Sequence, residues 1–431
     1  MKQAIIFVHP WMWAEDAFEA CQQRNYLIFS VITSFETLRI NQEWLAQHSD
    51  DILLSEGDAR ADANELFRRL NACGSKAAFV VNGLDAAFGY ANALSRLLHT
   101  PALAERAELF LNKTVLNEYI QARGVPVIPG LELKSVDEFR QEVKRFAEIG
   151  YPLIAKPSED TAAMADVEVI TSEEALRVYL CKTLGRKNRY YTDRAIEKIT
   201  VQQYVSTSSE EFFIDFFSYG GQHQLVGAGK YLYDENRTLK GIEIYNAENV
   251  SRLNKVVEYI IKVLNVAGMQ NGFSHNEVFL TQEGKPLLVE SNPRHCGQPS
   301  STLYKIVYGT HRMHTLLDAL ENKSLLGNEA IYRTGAHACA LHLYNFSCDK
   351  PAFINTYGVD SEITVLSFRG RERKRLSAEF YLKPDRVNQI SAILMLVNTS
   401  VKKLSNDCET IWMRETDGTL FSCANSGESE R

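Results

Sequence analysis

One stretch, residues 268–299, constrains what this chain can fold into more than any other part of it. Two apolar runs, Val278–Leu280 and Leu287–Val289, lie on either side of Glu283 and Gly284. Glycine adopts positive φ without steric cost, and a tight turn between two strands needs such a residue. The pattern therefore predicts two antiparallel strands joined by a two-residue hairpin turn at these positions.

The predicted turn determines which side chains face each other across the hairpin. Counting outward from it, Glu277 lies opposite Glu290, and His275 lies opposite Asn292. Side chains alternate along a strand, so Arg294 shares a face with Glu290 and Asn292. The sequence thus predicts two acids, an amide, an imidazole and a guanidinium on one face of the hairpin.

Two carboxylates directly opposite each other repel, and their apolar neighbours indicate partial burial, which raises the cost. A magnesium ion removes this problem, because it takes oxygen ligands and bridges carboxylates and phosphates. Asn292 offers a further neutral oxygen, and Arg294 offers a planar fork for an anion. The alternative that this reasoning leaves open is a solvent-exposed hairpin whose acidic residues point at water.

These residues resemble a known family. The pattern E-x-N-x-R at residues 290–294, after an acidic strand and a hairpin, is similar to the metal-binding hairpin of the ATP-grasp ligases. The run G-x-S-H-x-E at residues 272–277 is similar to the L-amino acid ligases that include the bacilysin and dapdiamide synthetases. The resemblance implies an ATP-dependent ligase that joins a carboxylate to an amine.

The chain is long enough for two or three domains, with 431 residues, 45% of them hydrophobic and 23% charged. The resemblance implies an ATP-grasp fold of α/β and α+β class. We expect an N-terminal parallel α/β domain at residues 1–105, a central two-lobed ATP-clasping domain at 106–327, and a C-terminal antiparallel β domain at 328–425.

Strand-like runs support the two outer parts of this division. Near the N-terminus they alternate with helical patterns, which favours a parallel sheet covered on both faces. Near the C-terminus they follow one another, which favours an antiparallel sheet. The runs are Ala4–Val8, Tyr26–Val31 and Ala77–Val81, and then Ala336–Leu343, Glu362–Phe368, Ile390–Val397 and Thr410–Arg414.

Charge, cysteine use and hydropathy exclude several other classes. A net charge of −7 argues against nucleic-acid binding. The eight cysteines include no CxxC pair, which is typical of reduced thiols in a cytosolic protein. No apolar run approaches the roughly 20 residues that span a bilayer. The N-terminus has the pattern of a first strand rather than a signal peptide. We therefore expect a cytoplasmic protein without a membrane partner.

Two lysines are candidates for binding a nucleotide's phosphates, because they supply compact positive charge on rigid elements. Lys113 begins a helical pattern that Asn112 can cap, and Lys156 lies in the strand-like run Tyr151–Pro157. The order of these contexts resembles the ATP-grasp series, in which both lysines contact ATP phosphates. A solvated surface position is the alternative for either lysine taken alone.

Further ATP contacts follow only from the resemblance. It implies that Gln202, Gln203 and Val205 form the hinge that binds adenine, and that Glu211 reaches the ribose hydroxyls. An acidic strand end is the alternative for Glu211. The chain departs from the family in two places. Residues 158–170 contain no glycine where a Gly-rich phosphate loop is usual, and Asp85 stands where Glu is usual.

The resemblance also implies the roles of the hairpin residues. Glu277, Glu290 and Asn292 would hold one or two Mg²⁺ ions, with Mn²⁺ as a substitute. Arg294 would hold the substrate carboxylate or an oxyanion, and His275 would orient the amine.

Other functions remain open, as do the identities of the small-molecule carboxylate and amine. An ATP-grasp carboxylase or purine-type ligase would share the metal hairpin. The Gly-free loop suggests a nucleotide-binding pseudoenzyme, and a metal-dependent hydrolase would use the same carboxylates without the lysines. The oligomeric state is open too, with a homodimer among the alternatives.

Overall fold

The structure is a computed structural model. It describes residues 2–10, 14–33, 42–159, 166–188, 194–205, 209–235, 238–297, 300–325, 334–344, 351–368, 390 and 392–423. Residues 160–165 of the Gly-free loop lie outside these ranges. The α-helices within them are α1 Ala14–Gln23, α2 Gln42–His48, α3 Ala59–Ala72, α4 Phe88–Leu97, α5 Lys113–Gln121, α6 Val136–Ile149, α7 Glu173–Thr183, α8 Ala247–Ser251, α9 Asn254–Ala267, α10 Ser300–Tyr308, α11 Met313–Asn322 and α12 Val401–Asp417.

The strands divide among parallel and antiparallel sheets. They are β1 Lys2–Val8, β2 Leu27–Thr33, β3 Asp51–Ser55, β4 Ser75–Asn82, β5 Gly130–Leu133, β6 Leu153–Pro157, β7 Glu168–Ile170, β8 Ile199–Gln203, β9 Glu210–Tyr219, β10 Gln222–Tyr233, β11 Leu239–Ile244, β12 Gly272–Leu280, β13 Pro286–Asn292, β14 His337–Leu343, β15 Pro351–Ile354, β16 Glu362–Phe368, β17 Ala392–Asn398 and β18 Phe421–Cys423.

The chain forms two compact units. The first contains residues 1–227, 253–297 and 311–330, and the second contains residues 228–252, 298–310 and 331–431. The division into three domains at residues 105 and 327 stays a prediction.

The first unit begins with a parallel sheet of strand order β3-β2-β1-β4. Its strands β1 and β2 are mostly buried, because the helices that connect successive strands of such a sheet cover its faces. The predicted parallel α/β arrangement is confirmed. Strand β3 was not predicted, since the run Asp51–Ser55 is short and begins with an acid.

A second sheet of the first unit has the order β5-β8-β6-β7, with α6 and α7 packed against it. The N-terminus of α6 has the sequence of a capping box, and Ser135 Oγ accepts from the Glu138 N–H at 3.0 Å. The edge strand β5 spans Gly130–Leu133. Its pairing with β8 over Leu133 and Ile199 determines where it lies, and a local pattern cannot show that pairing.

The predicted hairpin is present, but its two-residue turn is wrong. Leu280 pairs with Pro286, and the Thr281 N–H donates to the Lys285 carbonyl at 3.0 Å, so the loop has three residues. Gly284 lies at φ 73°, the left-handed position that ends such a loop. A β-bulge farther along the pair restores the register, so the predicted pairing of Glu277 with Glu290 is confirmed.

The second unit contains an antiparallel sheet, as predicted, with the order β11-β14-β17-β16. The predicted strand Thr410–Arg414 is wrong, because these residues lie within α12. The β-branched and aromatic run there has strand propensity, but Leu404, Cys408 and Ile411 recur at helical spacing and pack into the core of this unit. Gly418 ends the helix at φ 79°.

Two expectations about chemistry can be compared with the described residues. The cysteines whose side chains are described, Cys21, Cys73, Cys181, Cys296, Cys339 and Cys408, are free thiols. None of the helices in the described ranges combines the length and apolar character needed to cross a bilayer.

The close approach of β1 and β4 predicts that Gly83 is intolerant of a side chain. A Cβ atom there would lie 2.0 Å from the His9 carbonyl oxygen, so both backbones would have to shift. We expect Gly83→Ala to lower the free energy of unfolding by about 1–3 kcal/mol, measured by denaturant or thermal unfolding. Gly89→Ala is the matched control, since its Cβ would meet only Leu111 Cδ1 at 3.6 Å within a helix. Equal stability of the two variants would contradict this account.

Candidate functional site

Three antiparallel strands of the first unit, β9, β12 and β13, carry the centre of the candidate site. Strand β12 lies between the other two, so each of its residues has a neighbour on both sides. In one row His275 lies between Asp215 and Asn292, and in the next row Glu277 lies opposite Glu290. The two rows share a face because side chains two residues apart point the same way.

The two facing carboxylates are partly buried and lie beside positive charge. The Glu277 and Glu290 side chains are 19% and 22% exposed. Lys113 Nζ lies 3.4 Å from Glu290 Oε2, and Asn292 Nδ2 donates to Glu290 Oε1 at 2.8 Å. Burial opposes ionisation of Glu290, but the charges of Lys113 and Lys156 outweigh it and lower its pKa to about 2. The alternative of an acidic hairpin pointing at water does not describe this environment.

Lys156 is the more deeply buried of the two candidate lysines. It lies in β6 opposite Thr200 and is 8% exposed. Burial and the charge of Lys113 lower its pKa, while Glu290, Glu277 and Glu211 oppose that change. The two lysines and three acids therefore act on one another within a single cluster, as the predicted phosphate and metal site requires.

Local structure holds Lys113 at this cluster. Asn112 Oδ1 caps α5 by accepting from the Thr114 and Val115 N–H groups, which places Lys113 at the first helical position. The Lys113 N–H donates to the Ser158 carbonyl at 3.3 Å, just beyond the strand that carries Lys156. The predicted cap is thus confirmed, and it ties the first turn of α5 to the end of β6.

Arg294 lies next to this cluster and is paired with Asp85. Arg294 Nε donates to Asp85 Oδ2 at 2.8 Å. Burial lowers the pKa of Arg294, but Asp85 and the adjacent carboxylates more than offset this effect and raise the pKa. Asp85 follows β4, at the carboxyl end of the parallel sheet, where open α/β sheets place ligands. The sequence marked Asp85 only as a departure from the family pattern, and nothing in it indicated the partner 209 residues away.

A cleft that is partly open to solvent adjoins the same residues. Its polar lining includes Asp85, Lys113, Asn117, Glu290 and Asn292, and its apolar lining includes Leu288. Carboxylates, an ammonium and amides thus border one cleft.

His275 is held between two carboxylates. Its Nδ1 lies 2.7 Å from Asp215 Oδ1, and its Nε2 lies 3.4 Å from Glu277 Oε1. Burial alone would lower the pKa of His275, but Asp215 and then Glu277 more than offset it and raise the pKa to about 9. The sequence predicted that His275 faces Asn292, but it did not assign Asp215 or Arg312, which pair with each other at 2.7 Å. An acid within a run of phenylalanines was the available signal for Asp215.

The residues expected to contact adenine and ribose lie on β8, just after it and on β9. Gln202 is buried on the face of β8 that Thr200 shares, and Thr200 pairs with Lys156. Gln203 is exposed and Val205 is half-buried, whereas Glu211 is buried at the start of β9. The charge of Glu211 raises the pKa of Lys156. The nucleotide contacts of all four residues stay predictions.

The donor set at the hairpin fits magnesium better than a softer metal. Glu277 and Glu290 offer carboxylate oxygens on facing strands, and Asn292 offers an amide oxygen. Among the residues that the structure describes, no group of three or more His, Cys, Asp or Glu side chains is arranged to hold a metal alone. Magnesium bound here would therefore need oxygens from Asn292, water or a nucleotide, which is the usual mode for this ion.

Residues 149–303 match the family model described as the ATP-grasp domain. A solved structure described as an L-amino acid ligase from Bacillus licheniformis has a TM-score of 0.68, with 16% identity and coverage of 99% of both chains. Residues 149–303 are therefore similar to the ATP-grasp domain, and the predicted ATP-grasp fold of α/β and α+β class is confirmed.

Three curated relatives align with more than half of this chain. Dapdiamide A synthase from Enterobacter agglomerans is 21% identical over 74% of this chain and 73% of its own length. Alanine–anticapsin ligase from Bacillus subtilis (strain 168) is 26% identical over 53% of this chain and 51% of its own length. The carbamoyl phosphate synthase large chain from Clostridium acetobutylicum is 23% identical over 62% of this chain. That alignment spans only 25% of the relative.

The contact between Asp85 and Arg294 predicts a measurable coupling between the two side chains. Arg294 is 13% exposed, so removing the charge of Asp85 leaves a largely buried guanidinium without that partner. We expect Asp85→Asn and Arg294→Met to show a coupling energy of about 1–3 kcal/mol in a double-mutant cycle of denaturant unfolding. The exposed pair Arg140–Asp137 is the control and should couple by less than about 1 kcal/mol. Additive effects of Asp85→Asn and Arg294→Met would refute the coupling.

Proposed function

We propose that this chain is an ATP-dependent ligase that uses Mg²⁺ and joins a carboxylate, which is an amino acid or a related acid, to the amine of an amino acid. The products are an amide, ADP and phosphate. The observation that carries the proposal is the convergence of two lysines from α5 and β6 on two carboxylates that face each other across β12 and β13.

The first half of the proposed reaction is phosphoryl transfer. An oxygen of the substrate carboxylate attacks the γ-phosphorus of ATP, the bond to the β,γ-bridging oxygen breaks, and an acylphosphate and ADP result. Such transfer depends mainly on positioning and on neutralising the phosphate charge. Lys113 and Lys156 would bind the phosphates, since both are held on regular elements with most of their charge shielded from water.

Glu277, Glu290 and Asn292 would hold the magnesium, in one or two ions, with Mn²⁺ as a substitute. When bound, the metal would neutralise phosphate charge and orient the phosphate oxygens. The low pKa of Glu290 keeps that side chain ionised and ready to serve as a ligand at neutral pH.

The second half of the proposed reaction forms the amide. The amine nitrogen attacks the acyl carbon and loses a proton to water, the carbonyl oxygen gains negative charge, and phosphate leaves as the carbonyl re-forms. Arg294 would bind the substrate carboxylate or this oxyanion, and Asp85 holds its guanidinium in place at 2.8 Å. His275 would orient the amine, because its ring borders the same face as Glu277.

The remaining nucleotide contacts are proposed from the same resemblance. Gln202, Gln203 and Val205 would bind adenine, and Glu211 would bind the ribose. The burial of Gln202 on the Lys156 face and the effect of Glu211 on Lys156 support these assignments. For Gln203 and Val205 the support is their place in the chain alone.

The names of two relatives, dapdiamide A synthase and alanine–anticapsin ligase, support ligation over carboxylation or simple nucleotide binding. We propose small-molecule substrates, no nucleic-acid or membrane partner, and a cytoplasmic protein that is a monomer or a homodimer.

Phosphate release tests the proposal directly. The protein with ATP and Mg²⁺ is mixed with pairs from a panel of amino acids and small carboxylic acids, and products are identified by mass spectrometry. We expect release that requires both partners and yields an amide. Release without an amine would favour a hydrolase, and nucleotide binding without turnover on the whole panel would contradict the ligase.

In the same assay Glu290→Gln should abolish turnover without unfolding the protein, while Glu283→Gln at the exposed hairpin tip should retain it.

Lys156 provides a test that is independent of turnover. Replacing a buried ammonium beside the phosphates removes charge that water cannot supply there. We expect Lys156→Ala to weaken ADP binding by at least about tenfold in calorimetry, or roughly 1.4 kcal/mol. Lys182→Ala, which removes an exposed lysine from α7, is the control and should bind ADP as the unmodified protein does. Equal affinity of the two variants would remove Lys156 from the site.

A further inference from the structure

A row of buried charges behind the proposed metal ligands has no part in the chemistry described above. Asp215, in the middle of β9, is 1% exposed, and Arg312, just before α11, is 3% exposed. Ionised groups are expensive to bury unless their charge and hydrogen-bonding capacity are matched. Both residues lie in the first unit, next to His275.

The two oxygens of Asp215 have different partners. Oδ1 lies 2.7 Å from His275 Nδ1, and Oδ2 accepts from Arg312 Nη1 at 2.7 Å. The histidine comes from the neighbouring strand and the arginine from the end of a loop 97 residues along the chain. The carboxylate thus connects α11 to the strand that carries Glu277.

This contact determines the orientation of the imidazole ring. An ionised carboxylate can only accept a hydrogen bond, so Nδ1 donates to Asp215. The ring is packed against Phe213, with centroids 5.8 Å apart, and its other nitrogen then faces Glu277 Oε1 at 3.4 Å. Asp215, His275 and Glu277 therefore form a chain of contacts that ends at a proposed metal ligand.

Arg312 keeps this chain in a single arrangement. Its charge offsets that of the buried Asp215, and its contact with Oδ2 leaves Oδ1 for the histidine. The backbone around Arg312 is itself constrained, because His311 Nδ1 accepts from the Met313 N–H at 3.1 Å and the Arg312 carbonyl accepts from the Thr315 N–H at 3.0 Å. A rigid support of this kind is what orients a ligand before its metal arrives.

We propose that Asp215 and Arg312 are positioning residues that hold His275 against Glu277 and thereby increase the affinity of the site for the magnesium–nucleotide complex. The inference rests on the proposed function, through the assignment of Glu277 as a metal ligand. Neither residue touches the nucleotide in this scheme, so their effect is confined to binding that depends on the metal.

Calorimetry with ADP, in the presence and absence of Mg²⁺, tests this inference. The measured quantity is the gain in ADP affinity that Mg²⁺ provides. We expect Asp215→Asn to reduce this gain by about tenfold or more, the usual effect of losing a residue that orients a metal ligand, while metal-free ADP binds as before. Arg312→Met should act in the same direction, and Arg312→Lys, which keeps the charge, should restore part of the gain. Asp62→Asn, which alters a buried carboxylate bonded to Tyr90, is the control and should leave the gain unchanged.

Histidine ring signals in ¹⁵N NMR give a second readout, since Asp215→Asn should shift the Nδ1 and Nε2 resonances of His275. Where Asp215→Asn does not fold, Arg312→Met and Arg312→Lys supply the comparison.

Equal losses of ADP affinity with and without Mg²⁺, or an unchanged gain, would overturn the inference. Glu277→Gln, measured in parallel, distinguishes failure of the positioning role from failure of the metal assignment. If Glu277→Gln abolishes the gain and Asp215→Asn does not, only the positioning role is wrong. If Glu277→Gln also keeps the gain, the proposed metal assignment is wrong as well.

Discussion

The arrangement of the site depends on one electrostatic constraint, which is that two carboxylates face each other across an antiparallel pair of strands. Glu277 and Glu290 are held there by the ladder between β12 and β13 and cannot move apart. Like charges at this spacing are destabilising unless positive charge lies beside them. Lys113 and Lys156 supply it, and each needs a separate element to reach the hairpin. The capped start of α5 and the central strand β6 are therefore structural requirements of the hairpin.

Strand β12 is central in the site, so charged residues lie on both sides of it. On one side of this strand lie Glu290 and Asn292, which face the lysines, and on the other side lies Asp215, which pairs with Arg312. Charge is thus balanced in successive rows across one sheet, with each carboxylate next to a basic group. The pairing of Arg294 with Asp85 extends the same pattern to the carboxyl end of the parallel sheet. A buried network of this kind is rigid only when every member has its partner.

The fold alone says little about which molecules are joined. Structures that share it at 16% identity or less include an L-amino acid ligase and carboxyaminoimidazole synthetases. The cleft beside the proposed phosphate and metal ligands is lined by Asp85 and Asn117 among other residues, and function depends on such site residues rather than on the fold.

Much of the fold and the nucleus of the site could be predicted from local patterns. The parallel and antiparallel strand runs, the caps at Asn112 and Ser135, and the facing pair Glu277 and Glu290 all follow from periodicity and turn chemistry, which act over a few residues. The pairing was predicted from a turn one residue too short, and a bulge at Val289 cancelled the difference. Neither the three-residue loop nor the bulge has a clear signal in the local sequence.

Contacts between distant segments decided the rest. The run Thr410–Arg414 has the composition of a strand but lies in a helix, because the spacing of Leu404, Cys408 and Ile411 buries one helical face in the core. The partners of Asp85, Asp215 and Lys113 are 209, 97 and 177 residues away along the chain. The sequence by itself therefore determined which charged groups the protein carries and which strands present them. Only the tertiary structure decided how those charges are paired, because burial makes an unpaired charge costly and the pairing depends on how the strands and helices pack.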